Sequence, residues 1–185
     1  MSKRDLSLIF AGFLLGVGIV IFLTGLILKE NIGSYVQSKY LPPVFAIPKE
    51  VNRDFSLKLT SLVNTEREKN GLEPLTESNT LDYSAYIRVK QIINSQNFTH
   101  YATESGDIKA QQAVDVVGYQ YKFVGENLAR GYNDPGLVVE GWMDSPKHKE
   151  NILNGNYKET GIVVVEGLFQ GSWENIIVLL LGEPI

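Results

Sequence analysis

The fold of this chain is decided by two apolar runs near its carboxyl end, TGIVVV at 160–165 and NIIVLLL at 175–181. Both runs are rich in β-branched residues, which favour strands. Their nearly continuous apolar character indicates strands that are covered on both faces. The stretch 167–172, with a glycine near each end, is predicted to form the loop of a hairpin between them.

Helical patterns precede this hairpin. Apolar residues at helical spacing predict helices over 55–69, over 79–95 and, shorter, over 108–117. Pro135 favours a fourth helix that ends near 144, and Pro146 favours a short fifth one, because proline suits the first helical position. The predicted fold class is therefore α+β, with helices on both faces of a sheet in a three-layer α-β-α sandwich.

The composition excludes several classes of protein. With 44% hydrophobic and 21% charged residues over 185 positions, the chain has the composition of a globular protein. Its net charge of -4 gives no reason to expect nucleic-acid binding. Because the chain has no cysteine, it has no disulfide framework, no thiolate metal ligand and no cysteine nucleophile.

An uncharged apolar segment lies at 6–28 and is long enough to cross a bilayer, which takes about 20 residues in a helix. We predict an uncleaved transmembrane signal anchor there, with 1–5 as a cytoplasmic N-terminus, 29–54 as a proline-containing stalk and 55–185 as the folded domain. A cleaved signal peptide or a buried core helix are the alternatives. Signal-peptide apolar regions are usually shorter, about 7–15 residues.

The flanking charges predict the orientation of this anchor. Lys3 and Arg4 favour a cytoplasmic start, although Lys29 and Lys39 on the other flank dilute the bias. We expect a single-pass protein of the cell membrane whose C-terminal domain is extracytoplasmic.

The chain has only two histidines, His100 and His148. Imidazole ligates metals and exchanges protons near neutral pH. Between the two histidines lies the carboxylate of Glu126, in the run GENLA at 125–129. Three such groups suggest one assembled site.

Five motifs in order carry a resemblance to a known family: LVNTER at 62–67, FTH at 98–100, GENLA at 125–129, WMDSPKHKENIL at 142–153 and TGI at 160–162. They resemble the CAP superfamily of cysteine-rich secretory, antigen 5 and pathogenesis-related proteins, above all its bacterial, cysteine-free branch. The resemblance covers the whole predicted domain. It implies an α-β-α sandwich with a cleft lined by two histidines and two acidic residues.

Three members of that tetrad match this chain, namely His100, Glu126 and His148. At the fourth position, which is acidic in many eukaryotic relatives, the chain has Ser145 instead. Asp144 or Glu140 are the nearby carboxylates that could replace it.

The chemistry of the predicted site allows two functions. Two imidazoles and one carboxylate form a reasonable set of ligands for Zn²⁺ or another divalent metal, with a position left open for water or substrate. A metal-dependent hydrolase of peptides or esters would use Glu126 with His100 and His148. We favour a binding or cell-surface interaction module over an enzyme. The resemblance implies lipid or protein ligands, and the predicted location adds cell-wall glycan.

Overall fold

The computed structural model describes residues 50–100 and 109–185. This part of the chain contains both helices and strands and belongs to one compact unit. In chain order the elements are α1 (Arg53–Lys69), β1 (Thr76–Glu77), α2 (Asn79–Ser95), α3 (Lys109–Val117), β2 (Tyr121–Arg130), α4 (Pro135–Asp144), α5 (Pro146–Ile152), β3 (Glu159–Phe169) and β4 (Ser172–Pro184).

The sheet has four strands in the order β1-β3-β4-β2. The antiparallel pair β3–β4 forms its centre, in a register that runs from Glu159 opposite Gly182 to Phe169 opposite Ser172. β2 pairs antiparallel with β4, and the short β1 pairs parallel with β3. β3 and β4 are therefore the inner strands, and each has a neighbouring strand on both sides, although β1 pairs with only two residues of β3.

Two hydrophobic cores lie on opposite faces of this sheet. Alternate residues of a strand point to opposite faces, and the central strands supply both cores. One core joins α2 and α3 to Val163, Val165, Ile176, Val178 and Leu180. The other joins α1, α4 and α5 to Ile162, Val164, Ile177, Leu179 and Leu181. The predicted strands with two covered faces, and the mixed helix and sheet fold, are confirmed.

Most of the predicted helices are confirmed, with small changes at their ends. α1 begins at Arg53, earlier than predicted, because Asn52 caps it by accepting from the amide of Phe55 at 3.2 Å. α2 and α4 have the predicted bounds, and Asp134 caps α4. The first residue predicted for α3, at 108, lies outside the described residues.

One prediction about the strands was wrong, and the strands β1 and β2 were not predicted. The hairpin loop is not 167–172, because β3 and β4 leave only Gln170 and Gly171 between them. Both have positive φ, 48° and 89°, as a tight turn that matches the twist of a hairpin requires. Strand β2 was not predicted at all. Its buried centre contains the polar Glu126 and Asn127, which interrupt the apolar pattern of a strand.

The predicted anchor at 6–28, the segment 1–5 and most of the predicted stalk lie outside the described residues. Within 50–100 and 109–185, no helix combines the length and the apolar character that a bilayer span needs.

Arg67 holds the end of α5 against α1. It is 1% exposed and donates to four backbone carbonyls, those of Glu73 at 3.0 Å, Ile152 at 2.7 Å, Asn154 at 3.0 Å and Tyr157 at 3.2 Å. The guanidinium suits this role because it offers five donors in a fixed plane. The segment after α5 is therefore anchored to the first helix.

Gly161 sits where β3 approaches the start of α2 closely. A Cβ there would lie 2.2 Å from the amide nitrogen of Asp82 and 2.2 Å from the carbonyl carbon of Leu81. We expect Gly161→Ala to lower the free energy of unfolding by about 3 kcal/mol or more, since backbone atoms cannot move aside as a side chain can. Urea denaturation measures this loss.

Gly155→Ala is the matched control for that substitution. Its Cβ would meet nothing closer than Leu72 Cδ2 at 3.5 Å. We expect a change below about 1 kcal/mol. Equal losses in the two variants would contradict the close approach at Gly161.

Candidate functional site

Glu126 is the buried carboxylate at the centre of the site. It lies on the edge strand β2, and its side chain is 3% exposed. Arg88 of α2, which is fully buried, donates from Nε to Glu126 Oε2 at 2.6 Å and from Nη2 to the carbonyl of Thr99. Because a buried charge is costly unless it is paired, this ion pair is what allows Glu126 to lie inside the domain.

His100 follows α2 and uses the other oxygen of the same carboxylate. Its Nδ1 lies 2.8 Å from Glu126 Oε1, and its side chain is 40% exposed. An ionised carboxylate only accepts hydrogen bonds, so Nδ1 carries the proton in this contact. In a neutral His100, Nε2 is then the unprotonated nitrogen. Both oxygens of Glu126 are therefore engaged, one by Arg88 and one by His100.

His148 reaches the site from α5, which two asparagines tie to β2. Asn127 Nδ2 donates to the carbonyl of His148 at 3.0 Å. Asn151 Nδ2 donates to the carbonyl of Glu126 at 3.1 Å and to Asn127 Oδ1 at 2.9 Å. These contacts bring the ring of His148 to a centroid distance of 6.2 Å from that of His100.

The surroundings of His148 favour its neutral form. Burial lowers the pKa of His148, and the charge of the neighbouring His100 lowers it further. A lowered pKa means that more of the imidazole is unprotonated near neutral pH, which is the form that ligates metals.

The structure thus brings together the three predicted residues His100, Glu126 and His148. The two candidates for a fourth, Glu140 and Asp144, lie on α4 and line a groove that faces Glu66 of α1. They do not add a carboxylate to the cluster at Glu126 in the described part of the chain.

The two imidazoles are better placed to bind a divalent metal than the carboxylate of Glu126 is. In residues 50–100 and 109–185, no three His, Asp or Glu side chains are grouped so that they could hold one metal ion. Each oxygen of Glu126 already accepts a hydrogen bond, one from Arg88 and one from His100. Its contact with Nδ1 of His100 is instead the one by which carboxylates orient a ligating histidine.

Arg88 is the residue of the site that the sequence analysis did not find. Its position carries a signal, because it falls on the buried side of α2 between Ala85 and Ile92. A charged residue within an apolar helical stripe needs a buried partner. The partner itself, Glu126 on a distant strand, could not be read from helical spacing.

Comparison with known proteins identifies the family. The family model described as "CAP: Cysteine-rich secretory protein family" matches residues 60–179. The protein YkwD of Bacillus subtilis is 36% identical over 112 residues, which are 60% of this chain and 43% of YkwD. The membrane protein YlbC of the same organism is 28% identical over 116 residues, which are 63% of this chain and 33% of YlbC.

A solved structure agrees with the fold. An outer surface protein from Borrelia burgdorferi superposes with a TM-score of 0.63 at 23% identity, over 72% of this chain and 95% of that one. The chain belongs to the cysteine-rich secretory protein (CAP) family, and the absence of cysteine fits a bacterial branch of it. It spans less than half the length of the two Bacillus relatives.

The ion pair between Arg88 and Glu126 gives a prediction about stability. Arg88→Met leaves a carboxylate buried with only His100 beside it, which we expect to cost about 3–5 kcal/mol of unfolding free energy. Urea denaturation of the variant checks this. The double variant Arg88→Met/Glu126→Gln should recover much of the loss, because it removes the buried charge.

The control for Arg88→Met is Lys122→Met, which breaks an exposed pair. Lys122 is 55% exposed and lies 3.1 Å from Glu183. Such pairs contribute about 0–1 kcal/mol, so the control should be nearly neutral. A loss of the same size in both single variants would contradict the special role of the buried pair.

The lowered pKa of His148 can be measured directly, because the two imidazoles are the only ones in the chain. In an NMR titration of metal-free protein, we expect His148 to titrate below the usual value of 6.5. His100→Gln should raise the pKa of His148 towards that value, since it removes a neighbouring positive charge. An unchanged pKa in this variant would show that burial alone causes the shift.

The same shift sets a pH dependence of stability. When the pH falls below 6.5, the unfolded chain binds a proton at His148 before the folded protein does. The contribution of His148 to folding is therefore present above pH 6.5 and is lost as the pH falls towards the lower pKa of the folded state. His148→Gln should show a smaller loss of stability between pH 7.5 and 5.

Proposed function

We propose that this protein is a binding or cell-surface interaction module, anchored in the cell membrane and displaying its CAP domain outside the cytoplasm. The ligand would meet the cleft at His100 and His148. Lipid, cell-wall glycan and a surface protein are the ligand classes that suit this location.

The observation that carries a binding role is the occupation of both Glu126 oxygens. A general base must take a proton from water or substrate within hydrogen-bond reach. Glu126 instead faces Arg88 at 2.6 Å and His100 at 2.8 Å. Arginine stays protonated in proteins, so Glu126 faces a permanent cation on one of its two oxygens. The geometry therefore favours a structural role for Glu126.

A divalent metal is part of this proposal, with His100 and His148 as its protein ligands. Zn²⁺ binds neutral imidazole, and His148 is biased towards that form. Glu126 would orient the ring of His100 through its hydrogen bond with Nδ1. Two protein ligands are fewer than the three of most catalytic zinc sites, so we expect moderate affinity and a role in bridging to a ligand.

The location rests on the sequence and on two relatives. The uncharged segment 6–28 has the length of a membrane span. YlbC is described as a membrane protein, and the Borrelia relative is described as an outer surface protein. Both descriptions support an extracytoplasmic CAP domain on a membrane anchor for this chain.

The alternative function is a metal-dependent hydrolase of peptides or esters that uses Glu126, His100 and His148. The closeness of the two histidine rings, at 6.2 Å, is the observation in its favour. It requires Glu126 to leave one of its two partners when a metal-bound water is present.

Calorimetric titration of zinc into residues 47–185, which contain both hydrophobic cores, tests the metal site. We expect binding in the micromolar range that is lost in His100→Ala/His148→Ala. Glu126→Gln should keep binding but weaken it about 10- to 100-fold, the effect of losing a partner that orients a ligand. If zinc gives no binding heat with the unchanged domain either, the metal is excluded from the proposal.

A hydrolysis assay on the zinc-loaded domain separates the two functions. A binding module gives no turnover of peptide or ester above free zinc, with or without Glu126→Gln. Turnover that Glu126→Gln abolishes, while zinc still binds, would overturn the binding role in favour of the hydrolase.

A further inference from the structure

The end of the β3–β4 hairpin carries an exposed apolar pair. Leu168 and Trp173 lie directly opposite each other in the strand register and are 48% and 70% exposed. Cross-strand partners project from the same face of a sheet, so the two side chains form one patch. Phe169, between them in the chain, points the other way and is buried. We call Leu168 and Trp173 together the hairpin tip.

The hairpin tip lies on the face of the sheet that the helices of the second core cover further from the turn. Val164 and Ile177 are partners on that same face, and both are buried under the helices of the second core. Towards the turn these helices no longer cover the strands, and the tip is left bare. No charge lies between 167 and 173, and the flanking Glu174 is paired with Arg130 at 2.7 Å. The nearest charge on the same face is the exposed Glu166, two positions before Leu168, which is placed to stay in water beside the headgroups.

The chain enters the domain beside this tip. Val51 forms a bridge with Val165 on β3, and the amide of Asn52 donates to the carbonyl of Val164 at 2.9 Å. Val165 precedes Leu168 by three positions on the same strand, about 10 Å at 3.3 Å per residue. The segment that leads back to the predicted anchor therefore joins the domain at its hairpin end.

We propose that the hairpin tip inserts into the surface of the bilayer that holds residues 6–28. This rests on the membrane anchoring in the proposed function and adds a second point of contact. Tryptophan favours the boundary between headgroups and acyl chains, because its ring is apolar and its N–H is polar. Since the tip has no basic residue, its insertion needs no anionic lipid and is insensitive to salt.

The predicted stalk at 29–54 tethers the tip to the same bilayer. Tethering makes insertion an intramolecular step at a raised effective concentration, so that two exposed side chains can stay inserted. The domain would then be held with its hairpin end towards the membrane.

The two tryptophans allow a direct test on the full-length chain. Trp142 is 2% exposed in the second core, and Trp173 is 70% exposed, so only Trp173 can reach lipid. The chain is reconstituted in phosphatidylcholine vesicles with or without brominated acyl chains, and flotation confirms that it is membrane-bound. We expect bromine to quench Trp173, and Trp173→Phe to leave only the unquenched emission of Trp142.

Two variants test the contribution of the tip. Leu168→Ser should lower the insertion equilibrium about tenfold, because it removes half of the apolar pair. Phe123→Ser is the matched control, since Phe123 is 54% exposed on β2 and outside the tip. It should leave the quenching unchanged.

The outcomes separate this inference from the anchoring on which it rests. A chain that floats with the vesicles but whose Trp173 is not quenched overturns the insertion of the tip and leaves the anchor intact. A chain that does not float overturns the anchor, and the insertion with it. If the chain is a dimer in detergent micelles and Leu168→Ser converts it to a monomer, the tip is an interface between two copies, and the proposal is overturned.

Discussion

The central constraint on this molecule is that β3 and β4 must be buried on both faces. Eleven residues of these strands, alternating in direction, supply the two cores, and each buried Val, Ile or Leu contributes about 1.5–3 kcal/mol. A slip of one residue in the register would exchange the two sets of side chains between cores of different shape. Both faces of these two strands are apolar and must be shielded from water, so the sheet needs one layer of helices on each face.

The candidate site lies where those two layers meet at the edge of the sheet. Glu126 and Asn127 are neighbours on the edge strand β2, so their side chains point to opposite faces. Glu126 is bound by Arg88 of α2, and Asn127 binds α5 of the other layer. One histidine follows α2 and the other belongs to α5. The cluster thus forms only when both layers are packed on the sheet, and its geometry depends on the fold of the whole domain.

Local patterns predicted the parts of the fold that depend on local physics. Helix bounds followed from apolar spacing and from proline at the first helical position, and the central strands followed from their β-branched residues. The edge strand β2 was not predicted, because two of its four buried side chains, Glu126 and Asn127, are polar and are satisfied by partners on other elements. The motifs located His100, Glu126 and His148, whereas Arg88 meets Glu126 across 38 positions of sequence, and no periodicity contains that contact.

Arg88 also determines what kind of chemistry the cleft can support. In a cleft with several carboxylates, repulsion between them would favour a proton or a metal ion as the balancing charge. Here a permanent cation already balances Glu126, and Ser145 stands where a further acid would be expected. A metal bound by the two imidazoles would then neutralise no anion, which weakens its affinity. The carboxylate of Glu126 meanwhile already has a partner on each oxygen. The ion pair that allows Glu126 to be buried at this edge is thus the same feature on which the proposed binding role rests.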